Sequence, residues 1–271
     1  LQIEPSSICN FRCVFCFETD PTFTDKSNGF MGQMTLDLFK YIIDQAEGNV
    51  EFLSLASRGE PMICKDIVPM LEYTQGKFLN LKLNTNASLL DEEKSHAILA
   101  GGVKTIVFSA DAAEEPLYSK FRINGKLSVI LENIELFQKI RQTEYPSLPV
   151  ITRVSGVKFS DEQDLDSMQK VWGGLVDQVA FVQYNPWENV YSQPANGLDK
   201  ACSDLWRRMF VWWDGKANPC DVDYKSTLSQ GSIQEFNLSE LWQSSGYKDL
   251  RGDHINSKRE SRTPCSACTV V

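Results

Sequence analysis

Histidine is nearly missing from this chain: its 271 residues hold two, His96 and His254. That leaves little room for histidine-based acid–base catalysis or a histidine-rich metal site. Glycine-rich phosphate loops are missing as well, and so is a G-x-S-x-G nucleophile elbow. No apolar run approaches the ~20 residues that a membrane-spanning helix needs, and no basic-then-apolar leader stands at the front. The chain opens at Leu1 rather than a methionine, which leaves a leading segment open. Lys and Arg number 27 against 36 Asp and Glu, for a net charge of −9. The one mixed patch, Lys258-Arg259-Glu260-Ser261-Arg262, reads as a solvated loop. Neither a nucleic-acid backbone nor a membrane is therefore an expected partner.

What the chain does have is cysteine, eight in all, together with 42% apolar residues. The apolar share and the length provide for a large α/β domain with a smaller appendage. The cysteines cluster at metal-ligand spacing and no leader precedes them, which is the pattern of a reducing compartment, so a cytoplasmic location is expected. The tightest group is Cys9, Cys13 and Cys16, spaced C-x3-C-x2-C, with Phe15 before the last. Thiolates hold iron–sulfur clusters, and a cubane usually takes four of them. Three would leave one iron open to a small molecule. The alternative, a structural zinc knuckle, needs a fourth ligand close by. No histidine precedes His96, and the next cysteine is Cys64.

Hydrophobic periodicity marks out the regular elements. Strands are predicted at 3–8, 51–56, 79–84, 104–109, 149–154 and 178–183. Helices fall between them: one after Thr35 as N-cap, others at about 66–76 and 91–99, a long one through Ile130, Ile134, Phe137 and Ile140, and a fifth opened by a Ser160/Gln163 capping box. Six alternating strands and helices demand a parallel sheet, either an open sheet or a barrel, with its site at the carboxyl ends of the strands. Residues just after those ends are polar throughout.

The cysteine triplet resembles that of the radical S-adenosylmethionine (radical SAM) enzymes. The resemblance implies a partial (β/α)6 barrel over residues 1–191. It also implies a 4Fe–4S cluster on Cys9, Cys13 and Cys16 whose open iron chelates SAM, and a flavodoxin- or ferredoxin-type reductant. Ser57-Arg58-Gly59-Glu60-Pro61 is similar to the family's Gly-Gly-Glu-Pro motif, with Arg58 in place of the first glycine. By the same likeness Phe15, Gly59, Glu60, Pro61, Asn84 (in Asn84-Thr85-Asn86), Ser109 and Asp111 (in Ser109-Ala110-Asp111), Arg122, Arg153 and Gln183 are the expected SAM contacts. Arg153 would pair with the SAM carboxylate, as a planar guanidinium suits. Gln183 would sit near the adenine. The alternative for the strand-end residues is that they are helix caps and turn residues, common at strand-to-helix junctions.

A linker at 192–197 opens the remainder. Beyond it Phe210-Val-Trp-Trp213 and Lys216-Ala-Asn-Pro219 flank an Asp214-Gly215 turn, a β-hairpin that delivers Cys220. A short helix comes next, near 238–243. Cys202, Cys220, Cys265 and Cys268 make four thiolates, enough to close a site. The arrangement resembles the SPASM/twitch auxiliary-cluster domain, over 192–271, and implies a second 4Fe–4S cluster. Four-thiolate zinc remains open on spacing. Cys64 is left over as a buried apolar residue.

The resemblance implies a radical SAM oxidoreductase that dehydrogenates a carbohydrate or cyclitol alcohol and passes the second electron to the auxiliary cluster. Cross-linking of a ribosomal peptide is the alternative, and a non-catalytic iron–sulfur carrier or zinc-stapled binding protein the third. Candidate bases are Glu18, Glu60, Asp111, Glu188, Asp221 and Asp223. Trp187, Tyr184, Tyr191 and Arg207 are the expected pocket walls.

Overall fold

The computed structural model describes every residue except Ser57, Glu188 and Asn189. In chain order the strands are β1 (Gln2–Ile3), β2 (Arg12–Cys13), β3 (Phe52–Leu55), β4 (Asn80–Thr85), β5 (Thr105–Ser109), β6 (Arg122–Ile123), β7 (Ile151–Lys158), β8 (Gln178–Gln183), β9 (Phe210–Val211) and β10 (Ala217–Asn218). The helices are α1 (Pro21–Thr24), α2 (Leu36–Ala46), α3 (Ile67–Tyr73), α4 (Glu92–Ala100), α5 (Leu117–Phe121), α6 (Leu127–Glu144), α7 (Leu165–Gly173), α8 (Asp204–Arg207), α9 (Leu238–Trp242) and α10 (Ser245–Ile255).

One sheet runs β10-β9-β1-β3-β4-β5-β7-β8. Its six strands from β1 to β8 are parallel neighbours, as crossover helices require. Among the described residues β8 and β10 are its unpaired edges, so the expected partial barrel is open. β4 buries Leu81, Leu83 and Thr85 on one face and turns Asn80, Lys82 and Asn84 to the other. The buried face joins Leu53, Leu55, Ile106, Phe108 and Val154 to the helix residues Phe39, Ile43, Leu71, Ile98, Ile134 and Phe137 in one core. Each such side chain contributes roughly 1.5–3 kcal/mol on burial. In-phase register aligns Asn84, Val107, Arg153 and Gln178 across the opposite, inner face. The lumen is thus largely polar because the helices claim the apolar residues.

The helix ends follow their caps. Thr35 Oγ accepts from the Leu38 amide and Asp91 from the Lys94 amide, and Glu92 and Glu93 favour the positive end of α4. The Ser160/Gln163 pair does not open α7. Asp164 caps that helix through the Ser167 amide. Gln163 is drawn inward instead, accepting from the Phe159 and Ser160 amides and donating to Asp111 O and Val157 O. Buried main-chain groups beside β7 claim its amide before a helix can.

Nor does the sheet stop near residue 191. β9 lies parallel beside β1, and Met209, Val211, Ala217, Ile233, Leu238 and Leu241 enter the main core. The hairpin expected around Asp214-Gly215 is present as β9 and β10. Arg259, expected in solvent, is 1% exposed.

Candidate active site

The cysteine triplet hangs between two strand ends. β1 leads into it, and Cys13 in β2 pairs with Arg122 in β6. Two-residue strands carry no periodicity, so no sequence pattern marks this ribbon. Gly59 fixes the approach: a Cβ there would lie 2.5 Å from Ser6 O and 2.6 Å from Ile8 O, directly under the loop. The Glu60 amide donates to Ile8 O. The Glu60 carboxylate accepts from the Met62 amide (3.0 Å), the Thr85 hydroxyl (2.6 Å) and the Asn86 amide (2.7 Å), and so joins the ends of β3 and β4. Burial still pushes its pKa up. Asn86 extends an amide to Asn10 Oδ1 and approaches Cys9 Sγ at 4.0 Å. The motif's Ser57 lies outside the described residues.

Three of the expected contacts face inward with capacity to spare. Asn84 Oδ1 is buried without a hydrogen-bond partner, and a ligand donor fits it. Ser109 ends β5 half-buried, level with Ser155. Among the described residues Arg153 meets only Gln178 Oε1, to which its Nε donates at 2.9 Å, and no carboxylate. Two others are engaged internally. Asp111 accepts from Arg122 Nε at 2.6 Å and from the Val157 amide at 2.6 Å, both side chains being buried. Phe15 packs on Phe159, and its carbonyl accepts from Trp187 Nε1. Pro61 opens the 3-10 turn Pro61–Ile63.

Gln183 departs from expectation. Strand alternation places it with Val179 and Phe181, and the Phe181 ring lies on the helix side near Gly156 and Met168. Arg207 departs too. It is paired with Asp204 and lines a cavity of about 770 Å³, with Leu1, Phe52 and Trp242, at the amino ends of the strands. Arg58 fills its glycine position for a reason that no local pattern reveals. Its guanidinium is buried against Glu4 (Nε–Oε2 2.7 Å), donates to Tyr224 O, and lies 4.2 Å from the Trp212 ring centroid. It clasps the barrel to the C-terminal segment.

The candidate bases sort by what holds them. Glu60 and Asp111 are engaged as above, and Asp223 accepts from Tyr191, Thr227 and Leu228. Glu188 lies outside the described residues. Burial raises the Glu18 carboxyl to about 8, against the lowering pull of Arg12 at 3.4 Å. Burial raises the Asp221 carboxyl against the lowering pull of Arg208; no side chain donates to it among the described residues, and Lys82 on the inner face feels its charge.

Burial drives the thiol of Cys16 well above its usual range, and Cys13 and Cys9 push it further. In the second set Cys265 is raised to about 12, by burial first and then by Cys268. Each set is therefore a group of buried, protonated thiols that must release protons to bind metal. Among the described residues no three His, Cys, Asp or Glu converge closely enough for one ion. The donor set is all thiol, three in one set and four in the other, and thiolates are the ligands that hold iron–sulfur clusters. Cys64 is apart from both sets, 2% exposed beneath Met34 O.

The sets meet on one aromatic cluster. Phe17, Phe23, Val222, Tyr224 and Cys268 form it, with Cys16, Cys220, Trp187 and Tyr191 packed against it. Phe17 stacks on Tyr224 at 4.8 Å.

An open parallel barrel with a thiol triplet after its first strand, and a second thiol set against its mouth, defines an iron–sulfur barrel enzyme. The Radical SAM superfamily model matches residues 3–170, and the chain belongs to that superfamily. A SPASM iron–sulfur cluster-binding domain matches 202–269, and the cofactors are accordingly SAM and two 4Fe–4S clusters. The tungsten-containing aldehyde ferredoxin oxidoreductase cofactor-modifying protein of Pyrococcus furiosus is 25% identical, over 100% of this chain and 89% of its own length. The AdoMet-dependent heme synthase of Methanosarcina barkeri is 24% identical, over 83% of this chain and 60% of its own. BtrN in complex with AdoMet and 2-DOIA has a TM-score of 0.66 at 16% identity, covering 100% of this chain and 92% of BtrN. SuiB of Streptococcus suis bound to precursor peptide SuiA has a TM-score of 0.71 at 16% identity, covering 98% of this chain and 68% of SuiB. These structural likenesses establish the fold. Among the described residues no helix is long and apolar enough to cross a membrane.

Proposed function

We propose that this radical SAM enzyme dehydrogenates an alcohol of a carbohydrate or cyclitol in the barrel lumen. The observation that carries the reading is the shared aromatic cluster, which packs Cys16 of one thiol set and Cys220 and Cys268 of the other on common walls. A two-electron oxidation needs an acceptor for its second electron beside the site of hydrogen abstraction. When bound, SAM and its cluster supply a one-electron cleavage to a 5′-deoxyadenosyl species that abstracts a substrate hydrogen. Cys9, Cys13 and Cys16 hold that cluster, and Cys202, Cys220, Cys265 and Cys268 hold the auxiliary one. Gly59 lets the triplet loop lie on the end of β3, and Asn86 orients Cys9. Asn84, Ser109 and Arg153 offer polar contacts to SAM or substrate from the inner face. Asp221, free of side-chain donors among the described residues, takes the substrate proton.

Peptide modification is the second reading, favoured by the fold shared with SuiB in its precursor-peptide complex. The test is anaerobic reconstitution, then incubation with SAM, reductant and panels of deuterated sugars, cyclitols and short peptides. Deuterium in 5′-deoxyadenosine and a ketone product from an alcohol substrate support the dehydrogenase. Label transfer from peptides alone would overturn it.

A further inference from the structure

Three arginines are buried among the described residues: Arg58, Arg122 and Arg259. Two of them face a carboxylate, Glu4 and Asp111 respectively. Arg259 does not. It is 1% exposed, and among the described residues its hydrogen bonds go only to main-chain oxygens: Nε to Cys265 O (3.0 Å), Nη1 to Lys200 O (3.2 Å) and Nη2 to Cys268 O (2.6 Å). Carbonyl dipoles satisfy its donors but supply no counter-charge. A guanidinium taken out of water without an anion is costly, so a chain that buries one this deeply has an anion to place beside it. The carbonyls it grips belong to two of the auxiliary cysteines and to Lys200, two residues before a third. A 4Fe–4S cluster on four thiolates is anionic in both oxidation states and more so when reduced.

We infer that Arg259 is the counter-charge of the auxiliary cluster, a positioning residue that holds three cysteine segments and raises the cluster's reduction potential. The sign follows from the charges: a fixed cation stabilises the reduced form, with its additional electron, more than the oxidised one. A cluster meant to accept an electron from a substrate radical gains driving force from such a neighbour. The inference rests on Cys202, Cys220, Cys265 and Cys268 being the auxiliary ligands.

The test uses the full chain with Cys9, Cys13 and Cys16 all changed to Ala, so that only the auxiliary cluster remains. Iron and sulfide are counted, and the midpoint potential is read by anaerobic redox titration followed by electron paramagnetic resonance. Arg259→Gln should lower the potential, while Arg259→Lys, which keeps the charge and loses the fork, should stay near the parent value. Should the Gln variant fail to load iron, loading of the Lys variant at the parent potential would equally support the charge role. An unchanged potential in Arg259→Gln would overturn it. Failure of both variants to load would reduce Arg259 to a staple for the main chain, also against the inference. A parent that holds no iron–sulfur at all would instead sink the ligand assignment, and the inference with it.

Discussion

The two thiol sets are built by opposite means. The barrel set is local, three cysteines within eight residues, and regular strands place it: β1 leads in, β6 pairs with Cys13, and Glu60 joins the ends of β3 and β4. The auxiliary set is spread from Cys202 to Cys268 over loops and short helices. Buried side chains reaching for carbonyls hold it, with Arg259 on Cys265 O and Cys268 O, and Asn196 on Ala267 O and Cys268 O. Where a sheet supplies the geometry, side chains are left free for ligands. Where loops supply it, side chains are consumed as scaffold.

The strongest way to break the comparison is to delete one set at a time. Changing Cys9, Cys13 and Cys16 to Ala should abolish 5′-deoxyadenosine formation and halve the iron content. Changing Cys265 and Cys268 to Ala should halve the iron while leaving reductive SAM cleavage measurable. Chromatography of the nucleoside product, beside iron analysis, separates the two outcomes.

Next in size is the clasp between the regions. Arg58→Met strands the Glu4 carboxylate in a buried site, for a loss of about 3–5 kcal/mol in urea unfolding. Adding Glu4→Gln should recover part of that loss. An additive double variant would show that the two side chains act separately. Gly59→Ala comes third. Its Cβ meets main chain rather than a movable side chain, so overpacking of about 1–3 kcal/mol is expected. Iron should fall at the barrel set only, and equal loss from both sets would contradict the local placement. The smallest effect is remote from both. Burial raises the Asp177 carboxyl, but donors from the Thr152 amide, Arg141 and the Thr152 hydroxyl more than offset it and leave the pKa below its ordinary value. Such a group stabilises the fold above the unfolded carboxyl pKa and loses that contribution as pH falls through the folded value. Asp177→Asn should therefore cost on the order of 1 kcal/mol or less near neutral pH, the carboxylate being partly screened. The gap from wild type should close on acidification.

The same contrast governs what could be read in advance. The triplet, the Gly59-Glu60-Pro61 turn and the five longer parallel strands declare themselves because spacing and alternation are local signals, whereas the first strand, expected over 3–8, is only Gln2–Ile3. Arg58 looked like a defect in a glycine motif, since its partners Glu4 and Tyr224 are 54 and 166 residues away. Arg259 sits among Lys258, Glu260 and Arg262, so its neighbours announced solvent, and only the folded loops draw it inside. Gln183 ends its strand where expected, yet one step of alternation sends its side chain to the helix face. The Gln163 amide, read as a cap, is claimed by main-chain groups that no short pattern reports.

β1 has only two residues, and it lies between β3 and β9, with the Gln2 amide donating to Met209 O and the Glu4 amide to Val211 O. Half of its main-chain partners are therefore synthesised about two hundred residues after it. At ribosomal rates of ~5–20 residues per second that interval is roughly ten to forty seconds. For that time the nascent chain carries Cys9, Cys13 and Cys16 on a segment whose scaffold is incomplete. These thiols leave the ribosome long before the strand that completes the sheet beside β1.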